Sequence, residues 1–118
     1  RELKMRKGNI IKGIKDILKS DFKIDLAIIQ SGCYFEIIEE DAKYFHDNFN
    51  FKIHNCGGFR RYPVTGFPVS RYFLKIYLNI LNERKIMYAI VHQINVGKDR
   101  GTREVTYSPN KEALGLIF

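Results

Sequence analysis

The string Ser31-Gly32-Cys33-Tyr34-Phe35-Glu36-Ile37-Ile38-Glu39-Glu40-Asp41-Ala42-Lys43 gathers the residues best able to do chemistry. A turn at Gly32 followed by a strand puts Tyr34 and Glu36 on one side and Phe35 on the other, because strand side chains alternate. Phe35 then belongs to the core, while a ring and a carboxylate are presented together. A presented ring can stack on another flat group, and a carboxylate beside it can accept N–H hydrogen bonds. The same pattern also suits a half-buried strand aromatic next to a solvated acid.

Other constellations offer less. Asp41-Ala42-Lys43, with Asp25 and Glu36 upstream, echoes the acid-x-lysine arrangement of metal-dependent nucleases. That chemistry wants the pair on a strand, whereas here it falls in the first turn of an expected helix. There, acids and a lysine make a solvated face that compensates the helix dipole. His54 and Cys56, even with Cys33 or His46, lack a paired Cys-x-x-Cys or helical His-x-x-x-His that would fix a zinc tetrahedron. Gly97-Lys98-Asp99-Arg100-Gly101-Thr102-Arg103 lacks the glycine, lysine and hydroxyl order of a phosphate-binding loop. No serine, cysteine or lysine stands beside a histidine in a nucleophile motif. The expectation is a non-enzymatic protein with no cofactor and no metal.

The elements that must position Tyr34 and Glu36 follow from periodicity. Ile10, Ile11, Ile14, Ile17 and Leu18 recur at helical spacing and predict an amphipathic helix over residues 8–20. Two strands, 23–30 and 34–38, meet at Gly32. A helix then runs from the acids at 39–41 to about residue 48, burying Ala42, Phe45 and Phe49. A short strand at 51–53 gives way to a long glycine- and proline-rich loop through 68 that carries Arg60 and Arg61. From Ser70, a plausible N-cap, Phe73, Leu74, Tyr77, Leu78 and Leu81 describe another helix ending near 82–84. Residues 86–94 form a near-continuous apolar strand suited to the middle of a sheet covered on both faces. A charged turn at 97–101, a strand at 103–107 and a closing helix or tail at 109–116 complete the chain. The fold class is α/β: a single domain over residues 1–118, with one mixed sheet flanked by about three helices.

With 118 residues the chain fills one domain and excludes a multidomain motor or large enzyme. Its 45% hydrophobic and 28% charged residues also exclude disorder. Twenty Lys and Arg against 13 Asp and Glu leave +7, a bias toward polyanions such as nucleic acid or an anionic surface. The longest apolar run, residues 86–91, falls far short of the roughly 20 needed to span a bilayer. With no secretory pattern and only two cysteines, Cys33 and Cys56, the chain is expected in the cytoplasm with free thiols, nucleoid-associated if bacterial.

From about residue 20 onward the sequence resembles the mismatch-recognition domain of MutS, the N-terminal domain of the DNA mismatch repair sensors. Residues 31–43 are similar to the family's Gly-Asp-Phe-Tyr-Glu followed by apolar residues and Asp-Ala-Lys. Tyr62-Pro63-Val64-Thr65-Gly66-Phe67-Pro68 resembles Pro-Met-Ala-Gly-Val-Pro, and Ile90-Val91-His92-Gln93-Ile94 closes a helix-strand unit resembling the one that ends in Cys-Glu-Gln-Ile. Arg103-Glu104-Val105-Thr106-Tyr107-Ser108-Pro109 resembles Arg-x-Val-x-x-x-x-Thr-Pro, and Glu112-Ala113-Leu114 matches the acid-Ala-Leu beyond it. The matches are collinear.

The resemblance implies that Tyr34 is the aromatic that wedges into the stack beside a mispair and that Glu36 hydrogen-bonds the displaced base. Such a wedge favours sites that kink easily, and the carboxylate needs cations nearby to offset phosphate repulsion. Arg60, Arg61, Lys98, Arg100 and Arg103 are candidates for phosphate contacts, chosen from charge and loop position. Tyr34 stands where the family has Phe, Cys33 replaces an acid, Val69-Ser70 replaces Tyr-His, and His92 replaces the glutamate before Gln93. The expected partner is duplex DNA, mismatched or kinkable. Two settings stay open: a domain excised from a larger ATPase, or a standalone accessory to repair proteins or a mutagenic reverse transcriptase. Rival expectations are an adaptor that binds a protein or RNA–DNA partner without mismatch specificity, and a metal-dependent nuclease using Asp25, Glu36 and Lys43.

Overall fold

The structure is a computed structural model that describes residues 7–55, 62–94 and 103–109. Helix α1 (Lys7–Phe22) docks Ile11 and Leu18, flanked by Ile14 and Phe22, while Ile10 and Ile17 stay exposed. The expected stripe is thus narrower than the apolar spacing suggested. Its remaining inward position is taken by Lys15, buried for an electrostatic reason.

Strands β1 (Leu26–Ser31) and β2 (Tyr34–Ile38) form the expected hairpin, with Gly32 at φ +65°, a conformation glycine adopts without steric cost. Helix α2 (Glu40–Phe49) follows and stops at Asn50, whose left-handed backbone lets its N–H reach the final carbonyls. Ala42 and Phe45 are buried as expected, and Phe49 is partly buried.

The next stretch departs from expectation. Residues 51–53 are not a strand; the two-residue β3 (His54–Asn55) comes just after them. Phe51 instead joins a cluster of rings, 5.1 Å from Phe45 and 5.2 Å from Tyr77 between centroids. Within the expected irregular loop, residues 63–68 are β4 (Pro63–Pro68), antiparallel to β2. The two prolines bound this strand, where a missing N–H is tolerated. Gly66 serves a close strand approach, since a Cβ there would collide with the Phe35 carbonyl oxygen.

Ser70 caps α3 (Arg71–Glu83), its hydroxyl accepting the Phe73 N–H as expected. Strands β5 (Tyr88–Gln93) and β6 (Arg103–Tyr107) finish the described fold, and the expected element at 109–116 lies almost wholly outside the described residues. The sheet order is β3-β4-β2-β1-β5-β6, with β1 and β5 parallel and every other pair antiparallel. The architecture is therefore α/β, one mixed sheet with three helices.

Strand alternation sorts the core into two layers. Ala27, Ile29, Ile38, Ala89 and Val91 meet α1, whereas Leu26, Ile28, Phe35, Ile37 and Ile90 meet residues of α2 and α3. Covered on both faces, β1 and β5 are nearly continuous apolar runs. Among the described residues, no helix is long and apolar enough to cross a membrane.

Candidate functional site

The β1–β2 turn lies at the end of β2 opposite the α1–α2 junction at residues 39–41. Tyr34, opposite Ser31 on β1 and Pro68 on β4, is 50% exposed, whereas its neighbour Phe35 is 2% exposed. The alternation expected from the sequence holds: the second ring is core and the first is presented.

Side chains from distant strands brace this turn. The Gly32 N–H donates to Gln93 Oε1 at 2.7 Å, and Gln30 Nε2 donates to the Gly32 carbonyl at 3.0 Å. The Gln93 N–H in turn donates to Gln30 Oε1 at 2.8 Å. From the other side, the Val69 N–H donates to the Cys33 carbonyl at 2.9 Å. Each neutral bond contributes on the order of 1 kcal/mol, so together they hold the turn in one shape.

Register fixes what shares the face of Tyr34. Glu36 lies opposite Ile29 and Gly66, and Arg103 lies opposite Gln93. Tyr34, Glu36, Gln93 and Arg103 therefore stand on the side of the sheet that α1 covers lower down, at Ile29, Ile38, Val91 and Val105. Arg103 donates to the Gln30 carbonyl at 2.7 Å. Burial pulls its guanidinium below the ordinary value, and the charge of Glu36 works the other way. The ring and carboxylate thus share a face with a cation that feels the carboxylate. The Ser31 hydroxyl, at the same turn, is buried with no hydrogen-bond partner among the described residues.

Around the sheet edge, Tyr34, Glu36, Lys52, Pro68 and Phe73 help line an open groove of about 470 Å³. Lys52 and Gln93 were not singled out from sequence as site residues. Their only signal was position, Lys52 beside a loop and Gln93 within the His92-Gln93-Ile94 string.

Of the expected phosphate-contacting residues, Arg103 is brought to the site, while Arg60, Arg61, Lys98 and Arg100 lie outside the described residues. The nuclease trio does not converge. Asp25 accepts the Met87 N–H at 3.0 Å, and Glu36 sits opposite Ile29, about 13 Å farther along β1 at strand rise. Lys43 pairs on the outer face of α2 with Asp47 at 3.1 Å. Among the described residues no group of three or more His, Cys, Asp or Glu could hold a metal. His46 is 2.8 Å from the Phe51 carbonyl, Cys33 is a free, exposed thiol, and Cys56 lies outside the described residues.

The acids at the start of α2 are not the solvated face expected of them. Lys15, 3% exposed, donates to Glu39 and Glu40 at 2.7 Å each, and Lys12 reaches Glu39 at 3.0 Å. Asp41 is buried, accepting from Lys19 at 2.7 Å and from the Ala27 N–H at 3.0 Å. Burial pushes the Glu40 carboxyl up, but the hydrogen bond and charge of Lys15 outweigh it and hold the group at about 2. For Asp41 burial wins over Lys19 and Ala27, and the carboxyl is raised. These acids fasten α1 to the start of α2.

Compared with known proteins, the chain matches no family model, and no curated protein matches it.

Proposed function

We propose that this chain is a non-enzymatic DNA-binding module of the MutS mismatch-recognition type, binding mispaired or otherwise kinkable duplex through Tyr34 and Glu36. The observation that carries this reading is the inversion across one peptide bond, a 50% exposed Tyr34 beside a 2% exposed Phe35 on a braced turn. A ring kept half in water forgoes on the order of 1 kcal/mol of burial, which insertion into a base stack can recover. A mispaired step costs less to unstack than a paired one, so insertion selects distortion.

Glu36 supplies the polar half. A carboxylate is repelled by phosphates and is useful only where it reaches a base N–H, and Arg103 on the same face offsets part of that repulsion. The tyrosine hydroxyl needs water or a polar partner inside the groove.

The test is a binding titration with matched, G·T-mispaired and single-base-bulged duplexes at low and high salt. Tyr34→Ala is expected to erase the preference for distorted duplex while residual binding remains, and Glu36→Ala to reduce that preference. Equal, poor binding of all duplexes by the wild type, with a protein partner co-purifying, would instead identify an adaptor. Divalent-metal-dependent cleavage lost in Glu36→Ala would identify a nuclease.

A further inference from the structure

Helix α3 turns a second aromatic surface outward. Tyr72 is 71% exposed, Phe73 39% and Ile76 38%, although Leu74, Tyr77, Leu78 and Leu81 of the same helix pack inward. The Tyr72 and Phe73 rings lie 5.8 Å apart at 60°. Exposed Arg71 and Lys75 flank them, and the helix carries no acid until its last residue, Glu83. Phe73 also helps line the groove that Tyr34 lines, around the edge of the sheet that separates their two faces.

We infer that this face of α3 is a stacking platform for an unpaired nucleic-acid strand leaving the duplex beside Tyr34. The inference rests on the DNA-binding reading above and narrows its substrate to a distortion adjoining a single-stranded arm. Rings on a convex helix cannot enter a closed base stack, whose faces are covered by neighbouring bases. They can take bases that are already unstacked, an interaction that tolerates any sequence. Arg71 and Lys75, with no acid near them along the helix, complement the phosphates of such a strand and disfavour an acid-bearing amphipathic partner helix.

The experiment uses fluorescence anisotropy with a blunt mispaired duplex, the same duplex with a DNA or RNA arm beside the mispair, and a blunt matched duplex. Wild type is expected to bind the armed duplex about tenfold more tightly than the blunt mispaired one. The variant Tyr72→Ala, at a ring outside the groove that Tyr34 lines, should remove most of this difference and leave the mispaired-over-matched ratio unchanged. The Tyr72 side chain is 71% exposed and alanine favours helix, so the variant keeps its fold, as circular dichroism will show.

Equal wild-type affinity for armed and blunt mispaired duplexes overturns this inference alone. Arm binding that depends on Tyr72 without any mispair preference overturns the mismatch reading and leaves the platform standing. Absence of binding to every probe overturns both. If Tyr72→Ala instead turns a dimer into a monomer in sedimentation, with arm binding unchanged, the face joins two copies of the chain and the inference falls.

Discussion

The Gln93 side-chain carbonyl accepts the Gly32 backbone N–H at 2.7 Å, joining positions 61 residues apart. Gly32 is the point about which the chain reverses before Tyr34, so the strand β5 sets the posture of a ring carried by β2.

Removing that acceptor should loosen the turn. Gln93→Ala is expected to cost about 1 kcal/mol and to accelerate hydrogen exchange at the Gly32 amide, while Gln93→Glu, which keeps an acceptor, restores protection. Exchange measured by NMR checks this. An unchanged Gly32 rate in Gln93→Ala would show that the Gln93 side chain does not protect this amide.

Tyr34 should matter to binding and little to stability. Because the ring is half exposed, Tyr34→Phe is expected within about 0.5 kcal/mol of wild type in urea unfolding and Tyr34→Ala within about 1.5 kcal/mol. In the duplex titration Tyr34→Phe should keep or strengthen the preference for a mispair, having no hydroxyl to desolvate. A loss in Tyr34→Phe equal to that in Tyr34→Ala would mean that the hydroxyl, and not the ring, makes the contact.

Gly66→Ala should damage the sheet. The added methyl would meet the Phe35 carbonyl and then the Glu36 Cα, both backbone, so no side-chain rotation relieves it. A loss of about 2–3 kcal/mol is expected, read as a lower urea midpoint. Glu36 pairs with Gly66, so the variant should also weaken discrimination between duplexes.

The α1–α2 ion network gives stability a definite pH dependence. Glu39 and Glu40 are held below their ordinary 4.5, Glu40 at about 2, so their contribution is complete above 4.5 and is lost as pH falls toward 2. Asp41, raised above its ordinary 3.8, acts in the opposite sense, so its protonation favours the fold and softens that loss. Lys12 and Lys15, raised above 10.5, contribute fully below that value and lose their effect as pH climbs through their raised values. Lys15→Ala should cost about 2 kcal/mol near neutrality, less than a fully buried pair because its partners reach water. It should also flatten the acid limb of a thermal-unfolding profile. An acid limb parallel to wild type would assign the loss to packing alone.

The legible parts of the fold were those with long periodic patterns. The hairpin at Gly32, the Ser70 cap and the apolar β5 follow from local rules, since spacing and turn chemistry act within a few residues. The missed strand β4 shows where such rules stop. Pro63, Gly66 and Pro68 signal a loop by type, yet the prolines bound the strand and the glycine admits the neighbouring backbone. Likewise 39–41 looked like a solvated helix start, because nothing local says that three lysines on α1 will arrive to neutralise it. The Tyr34 and Phe35 division was legible from alternation, but the Gln30 and Gln93 brace depends on two strands becoming neighbours.

That neighbourhood also governs when the protruding ring becomes ordered. Parallel pairing of β1 with β5 requires a crossover, so the residue that clasps Gly32 reaches it only after the intervening helices and strands have been laid down. A nascent chain released before Gln93 could form much of the hairpin but would lack this clasp. Ordering of the tip is thereby tied to synthesis of nearly the whole described domain.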